Sequence, residues 1–386
     1  MCIIGLFKPN LNKLILVFAV LSLNSAISFA NEPVKKADSE HADAIAEVRD
    51  TSAVVAENSA ATSHENAKEE KFNPSELILE HITDSHDWHL WGHTSLPLPI
   101  ILYTPKGLEV FSSSHFHHGE QAYTTANYTY KIEENKIVVL NTENEIDEAA
   151  TKTIIDISIT KNVCSLLISV TLLLFIFLSV AKAYKNRVGK APKGFQSMIE
   201  PIILFVRDDV AKPNLGKKYA KFMPFLLTVF FFIWINNMMG LIPFFPGGAN
   251  VSGNIAFTMV LALITFIIIT VNGGKVYWSH IFAPHVPWWL YPLLIPVEIF
   301  GMFTKPVALM IRLFANITAG HILVLSLISL IFIFKSLVIA IVAVPFTVFI
   351  NVIELLVAFL QAYIFTMLAA LFIGMALEEP HAEDHH

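Results

Sequence analysis

The sequence predicts an all-α integral membrane protein: about five transmembrane helices, one interfacial helix, and a small extracytoplasmic N-terminal segment with some β-structure. Three observations carry this. Of 386 residues, 54% are hydrophobic and only 15% charged, with a mean hydropathy of +0.58, outside the range of ordinary soluble domains. Several apolar runs reach the roughly 20 residues that a hydrocarbon core about 30 Å thick demands. Basic residues gather between the first two runs, which assigns that connection to the cytoplasm. The formal charge of −6 says little by itself, because charge is segregated along the chain.

Residues 1–30 read as a signal peptide. Lys8 and Lys13 precede the apolar run Leu14–Val20, and Ser28-Phe29-Ala30 offers small residues for cleavage near Ala30. The alternative is a short uncleaved anchor. Residues 31–75 form a polar segment, nearly without aromatics, that cannot bury enough apolar surface to order itself. Residues 76–150 are expected to form an extracytoplasmic segment with short strands at Ile100–Tyr103, Leu108–Ser112, Ala126–Ile132 and Lys136–Leu140. Pro105-Lys106-Gly107 turns between the first two.

Residues 151–386 are the expected membrane part. Val163–Ala181 is the first span. The basic stretch follows, from Lys182 to Lys221. Within it, Met198, Ile199, Ile202, Ile203 and Val206 fall at helical spacing and predict the interfacial helix. Phe222–Ile242 runs outward and Asn254–Val271 returns. Trp278, Trp288, Trp289 and Tyr291 mark an interfacial connection. Two long segments complete the chain, about 290–334 outward and 337–376 inward, before a polar cytoplasmic tail. Both exceed one span, so tilting or bending is expected, with Pro306 and Pro345 as kink sites.

The polar residues inside these last two segments carry the functional information. Arg312 lies in the middle of an apolar run. A central Arg costs roughly 2.5–3.5 kcal/mol on insertion scales, and it cannot escape by losing its proton. It is either a functional cation or one half of a structural ion pair. Arg312, Asn316, Ala319, Gly320 and Leu323 share one helix face, as do Asn351, Glu354, Ala358 and Gln361. His321 lies about 13.5 Å outward of Arg312, and Glu354 about 10.5 Å outward of Gln361. Packed antiparallel, the helices match Arg312 with Gln361 in depth, and His321 with Glu354. That pair is either a buried hydrogen bond or a relay, since a His beside a carboxylate titrates near neutral pH. Glu298 lies about 21 Å toward the cytoplasm from Arg312. It either lines an inner pathway or snorkels, and Lys305 is expected to snorkel.

These residues resemble a known family. Arg312-Leu313-Phe314-Ala315-Asn316 followed by Ala319-Gly320-His321 is similar to the signature of subunit a of F-type ATP synthases. Lys305-Pro306-Val307, Gln361-Ala362-Tyr363-Ile364-Phe365, Asn237-Met238-Met239-Gly240-Leu241-Ile242-Pro243 and Asn254 match the same family. The likeness spans roughly Phe195 to Glu379. Two departures stand out. His321 and Glu354 look exchanged relative to some members, which keeps one base and one acid. Gly240 stands where some members have Asp.

The resemblance implies an ion-translocating stator subunit, its last two helices tilted against a rotating ring of subunit c. Two proton half-channels would couple proton flow to ATP synthesis. Arg312, Asn316, His321, Glu354, Gln361 and Glu298 would carry translocation. A fixed cation about 4 Å from a ring carboxylate, at an effective dielectric near 20, favours its ionised form by about 4 kcal/mol. Implied partners are the subunit c ring, the subunit b stator stalk, the catalytic head through the complex, and membrane lipid. No nucleic acid, cofactor or metal is implied, and the chain is not an enzyme alone. The implied location is the bacterial inner membrane, multi-pass, with the N-terminus outside after cleavage and the C-terminus cytoplasmic. Alternatives are a self-contained secondary transporter with Arg312 binding an anion, a Na⁺-coupled version of the same subunit, and a scaffold with a buried ion pair. His81, His86, His89 and His93, and His115, His117 and His118, read as solvated His-rich loops rather than metal sites.

Overall fold

In a computed structural model, the structure describes residues 78, 82–91, 94–119, 121–133, 135–186, 191–242, 245–282 and 286–377. The expected signal peptide, the polar segment to residue 75, His81, His93 and the tail from Glu378 lie outside these residues.

The N-terminal part forms three small antiparallel sheets. Strands β1 (Asp87–Trp91) and β2 (Thr94–Pro97) pair. Strand β3 (Pro99–Thr104) is central to β4 (Gly107–Ser112) and β8 (Ile155–Asp156). Strands β5 (Tyr123–Thr124), β6 (Thr129–Glu133) and β7 (Lys136–Leu140) form the third sheet. The β3–β4 hairpin turns where expected. Gly107 has φ +133° there, a conformation that side chains with a Cβ resist. The strand expected from Ala126 starts instead at Thr129, because Thr125 and Tyr128 close a turn through the Thr125 amide and the Tyr128 carbonyl, 2.9 Å. Alternation on β3 buries Ile100 and Leu102 against Phe116, Tyr130 and Val139. A short helix, α1 (Glu148–Lys152), is capped by Asp147.

The remaining helices are α2 (Lys161–Asn186), α3 (Phe195–Phe205), α4 (Lys212–Leu215), α5 (Tyr219–Leu241), α6 (Ile255–Asn272), α7 (Lys275–Phe282), α8 (Tyr291–Phe334) and α9 (Leu337–Ala376). Among the described residues five candidate spans result, with 195–241 counted as one because α3, a π-helical turn at 206–211 and α4 lead almost continuously into α5. On α3 and that turn, Ile199, Ile203, Val206 and Val210 are buried at helical spacing.

Burial divides the bundle. The 195–241 segment is 72% buried over its apolar window, while α8 and α9 are each 11% buried. The first is therefore the centre, with Phe230, Phe231, Phe232 and Ile233 enclosed all round. The last two present most of their surface outward. Helix α8 rests on a stripe of Leu309, Leu313 and Ile317. Helix α9 buries a small-residue stripe, Ala358, Ala362, Ala369 and Ala376, alongside Phe365 and Ile373, which lets neighbouring backbones approach. Gly374 is the closest case, since a Cβ there would overlap the Asn214 carbonyl of α4. Both helices continue through Pro296, Pro306 and Pro345. Lys335 takes a left-handed conformation (φ +46°) that ends α8 before α9 turns back.

The sheets are tied to the helices. The Lys161 and Asn162 amides donate to the Ser85 carbonyl (2.8 Å) and Asp84 Oδ1 (3.0 Å). These satisfy donors at the start of α2 that have no partner within the helix. Trp88 packs edge-on against Phe245 of the α5–α6 connection, ring centroids 5.1 Å apart, and joins the helical core.

Candidate functional site

Helices α8 and α9 run antiparallel in contact, and their polar faces meet. Asn316 Nδ2 donates to Gln361 Oε1 across 2.8 Å. Gln361 is fully buried; this bond satisfies its Oε1, while its Nε2 is buried without a partner among the described residues. One turn before Asn316 stands Arg312, near the midpoint of α8. Arg312, Ala315, Asn316 and Ala319 are all exposed on the protein surface. Among the described residues no carboxylate pairs with Arg312. The described residues thus give no support to a structural ion pair at this position. The cation faces outward over small side chains that leave room for another helix.

Farther along, Glu354 on α9 rests against Gly320 on α8. A Cβ at Gly320 would overlap Glu354 Oε1 and stand 2.9 Å from Cδ. His321 is the next residue. Its Nε2 would lie 3.7 Å from a Cβ built on Gly240 of α5. Glu354, Gly320, His321 and Gly240 thus lie together at one level, and the His–Glu depth match expected from helical rise is met. Gly240, which stands where some members have Asp, borders His321.

Helix α5 contributes a further tie. Asn237 Nδ2 donates to the Ala358 carbonyl of α9, 3.2 Å away. Asn254 accepts from the Ala256 amide (2.8 Å) and caps α6, a stabilising role rather than a place on the polar face.

Glu298 stands apart from this cluster, on the other half of α8. Its Oε1 is 3.9 Å from Nδ1 of His280 on α7, and Glu298 is only partly exposed. Sequence reasoning missed His280. It sits on a short helix eighteen residues earlier, and no spacing rule connects the two. Lys305 was expected to snorkel. Its Nζ lies 5.4 Å above the Phe372 ring of α9, within reach of a cation–π contact.

The His-rich loops differ in part from expectation. His86 is buried, and its Nε2 lies 3.1 Å from Asp156 Oδ2. Burial acts to raise the Asp156 carboxyl, but hydrogen bonds from His86 and Ser158 outweigh it and leave Asp156 below the ordinary range. Nearby Asp84 is shifted the other way by burial, despite the Asn162 amide bond. His115 stacks on Tyr123, centroids 4.4 Å apart. Burial and its carboxylate partner account for His86, whereas His115 remains exposed to solvent, as expected.

A bundle of long apolar helices, with an unpaired cation at mid-helix and titratable groups where two helices face, defines an ion-translocating membrane protein. The comparisons with known proteins narrow this. The family model described as ATP synthase A chain matches residues 163–374, and a domain of unknown function (DUF8433) matches residues 77–157. The chain is 47% identical over 237 residues to ATP synthase subunit a of Chloroherpeton thalassium, covering 60% of this chain and 70% of that one. It is 50% identical to ATP synthase subunit a 2 of Prosthecochloris aestuarii (57% and 69% covered). It is 43% identical to ATP synthase subunit a of Myxococcus xanthus (60% and 77% covered). The chain belongs to the ATP synthase subunit a family. It is an ion-translocating stator subunit of F-type ATP synthase, a multi-pass membrane protein that works within that complex and is not catalytic by itself.

Proposed function

We propose that the translocated ion is the proton, and that it crosses by two offset half-pathways meeting at Arg312. The outer one uses His321 and Glu354, which exchange protons with the outside medium. The inner one passes Glu298. Asn316 and Gln361 hold α8 and α9 in register at the meeting point. A carboxylate of the subunit c ring, arriving at Arg312, is driven to its ionised form and releases its proton. The guanidinium keeps its charge throughout, so it also repels protons from a direct passage between the half-pathways.

The observation that carries this reading is the exposed, unpaired Arg312 on a surface otherwise lined by Ala315 and Ala319. A charge without an internal partner needs an external one. A ring of helices passing this surface supplies it and fits the small side chains. The subunit b stalk would hold the chain against the ring and link it to the catalytic head. The basic stretch between α2 and α5 favours a cytoplasmic connection, hence an external β-rich segment, a cytoplasmic C-terminus and residence in the bacterial inner membrane.

The test is Arg312→Ala in the assembled complex, with ATP-driven acidification of vesicles measured in sodium-free buffer. Assembly with the ring and loss of acidification are expected. Normal acidification at normal assembly would overturn the assignment. Wild-type pumping that stops without sodium would replace the proton by Na⁺.

A further inference from the structure

We propose that the outer face of the β4-β3-β8 sheet is a membrane-docking surface, seated on the lipid headgroups beside the entry of α2. Residues in register put Ile101, Tyr103, Leu108, Val110, Ile155 and Ile157 on one face. Apart from the half-buried Ile101, they are 50–63% exposed. No charged side chain shares that face. Glu109 and Asp156 both stand opposite Leu102 and so alternate to the inner side. A contiguous apolar patch of this kind on an otherwise polar domain marks an interaction site.

The occupant follows from where the face is held. Ile157 is separated from Lys161, the first residue of α2, by three residues, which span about 13 Å at most from one to the other. Ile159 continues the strand, its amide donating to the Pro99 carbonyl. The sheet therefore runs straight into a membrane span. It cannot swing away, because the Ser85 carbonyl and Asp84 Oδ1 bind the first amides of α2. Trp88 pins the same domain to the α5–α6 connection. Helix α2, which follows directly, exposes Leu167, Leu172 and Phe175. A patch without charge, next to a lipid-facing helix, matches the acyl–headgroup boundary better than a charged protein partner. Tyr103 adds an aromatic ring with a polar tip, the chemistry enriched at that boundary. This holds for whichever side of the membrane the domain occupies, and it does not rest on the proton pathway.

The experiment uses the full chain in the assembled complex, with both natural cysteines replaced. A polarity-sensitive fluorophore is attached at Leu108→Cys, or at Glu143→Cys, in an exposed turn, as the control. Reconstitution is into phosphatidylcholine vesicles containing bromine-labelled phosphatidylcholine. Quenching at position 108 at least about twofold stronger than at 143 is expected for an interfacial site. Equal quenching overturns the proposal, as does crosslinking of the 108 probe to another subunit. A second variant, Val110→Asp with Ile155→Asp, should reduce the quenching at 108 while pumping persists. Unchanged quenching in that variant also overturns it.

Discussion

The Glu354 carboxylate on α9 rests directly on Gly320 of α8. The acid proposed for the outer pathway therefore has its place because its neighbour lacks a side chain. Gly320→Ala forces Glu354 to rotate, and the moving atoms are the end of a flexible side chain. Stability should change by less than about 1 kcal/mol, since Ala also favours the helix. Proton conduction should fall several-fold. Glu354→Asp in the same chain shortens the acid and should restore part of it. Conduction assays on vesicles with assembly matched would reject the contact if Gly320→Ala conducts normally.

The Asn316–Gln361 bond couples two helices that are otherwise little buried. Gln361→Ala removes the acceptor and should cost about 1–3 kcal/mol of stability. Asn316→Ala together with Gln361→Ala should cost less than the sum, with a coupling of roughly 0.5–3 kcal/mol. Thermal unfolding in detergent measures it, and strict additivity would mean the bond is not formed.

Arg312→Lys keeps a positive charge but loses the planar fork and the guaranteed protonation. Because Arg312 is exposed and unpaired, stability should shift by no more than about 0.5 kcal/mol. ATP-driven pumping should nevertheless fall at least tenfold. Retained pumping would show that charge alone suffices.

Glu298, proposed for the inner pathway, lies 3.9 Å from His280. Glu298→Ala should slow proton movement on that side without disturbing ring assembly, and His280→Ala should have a smaller effect in the same direction. An unchanged rate in Glu298→Ala would return it to a merely interfacial role.

The β-rich segment carries two carboxylates with opposite pH behaviour. Asp156 has a lowered pKa, so its contribution is present above the unfolded value near 3.9 and is lost as pH falls through the folded one. Asp84 has a raised pKa, so its ionisation opposes folding at neutral pH and this cost disappears on acidification. Asp84→Asn retains an acceptor for the Asn162 amide and removes the charge. It should slow hydrogen exchange at Ile155–Ile157 at pH 7, with the gain vanishing at low pH. Faster exchange at pH 7 would contradict the burial argument.

Helix periodicity and hydropathy placed all five long helices, because a bilayer demands long apolar runs and leaves little else to the chain. The two polar faces and the common level of His321 and Glu354 were also legible, since rise per residue is constant, but Gln361 meets Asn316, one turn from the Arg312 expected at its depth. The β-rich segment was read less well. Strands β1, β2, β5 and β8 are short or irregular, and turns such as Thr125–Tyr128 decide where they begin. The burial of His86 could not be read from its His-rich surroundings, because its partner Asp156 lies 70 residues away.

The sequence by itself determined the membrane spans, the residues able to hold charge within them, and the family to which they belong. The tertiary structure decided which of these meet. It joined Asn316 to Gln361, seated Glu354 on Gly320, brought His280 to Glu298, and left Arg312 without a paired carboxylate among the described residues. The reason is physical: helical rise sets depth along each element, but only packing sets which faces turn toward each other and how closely they approach.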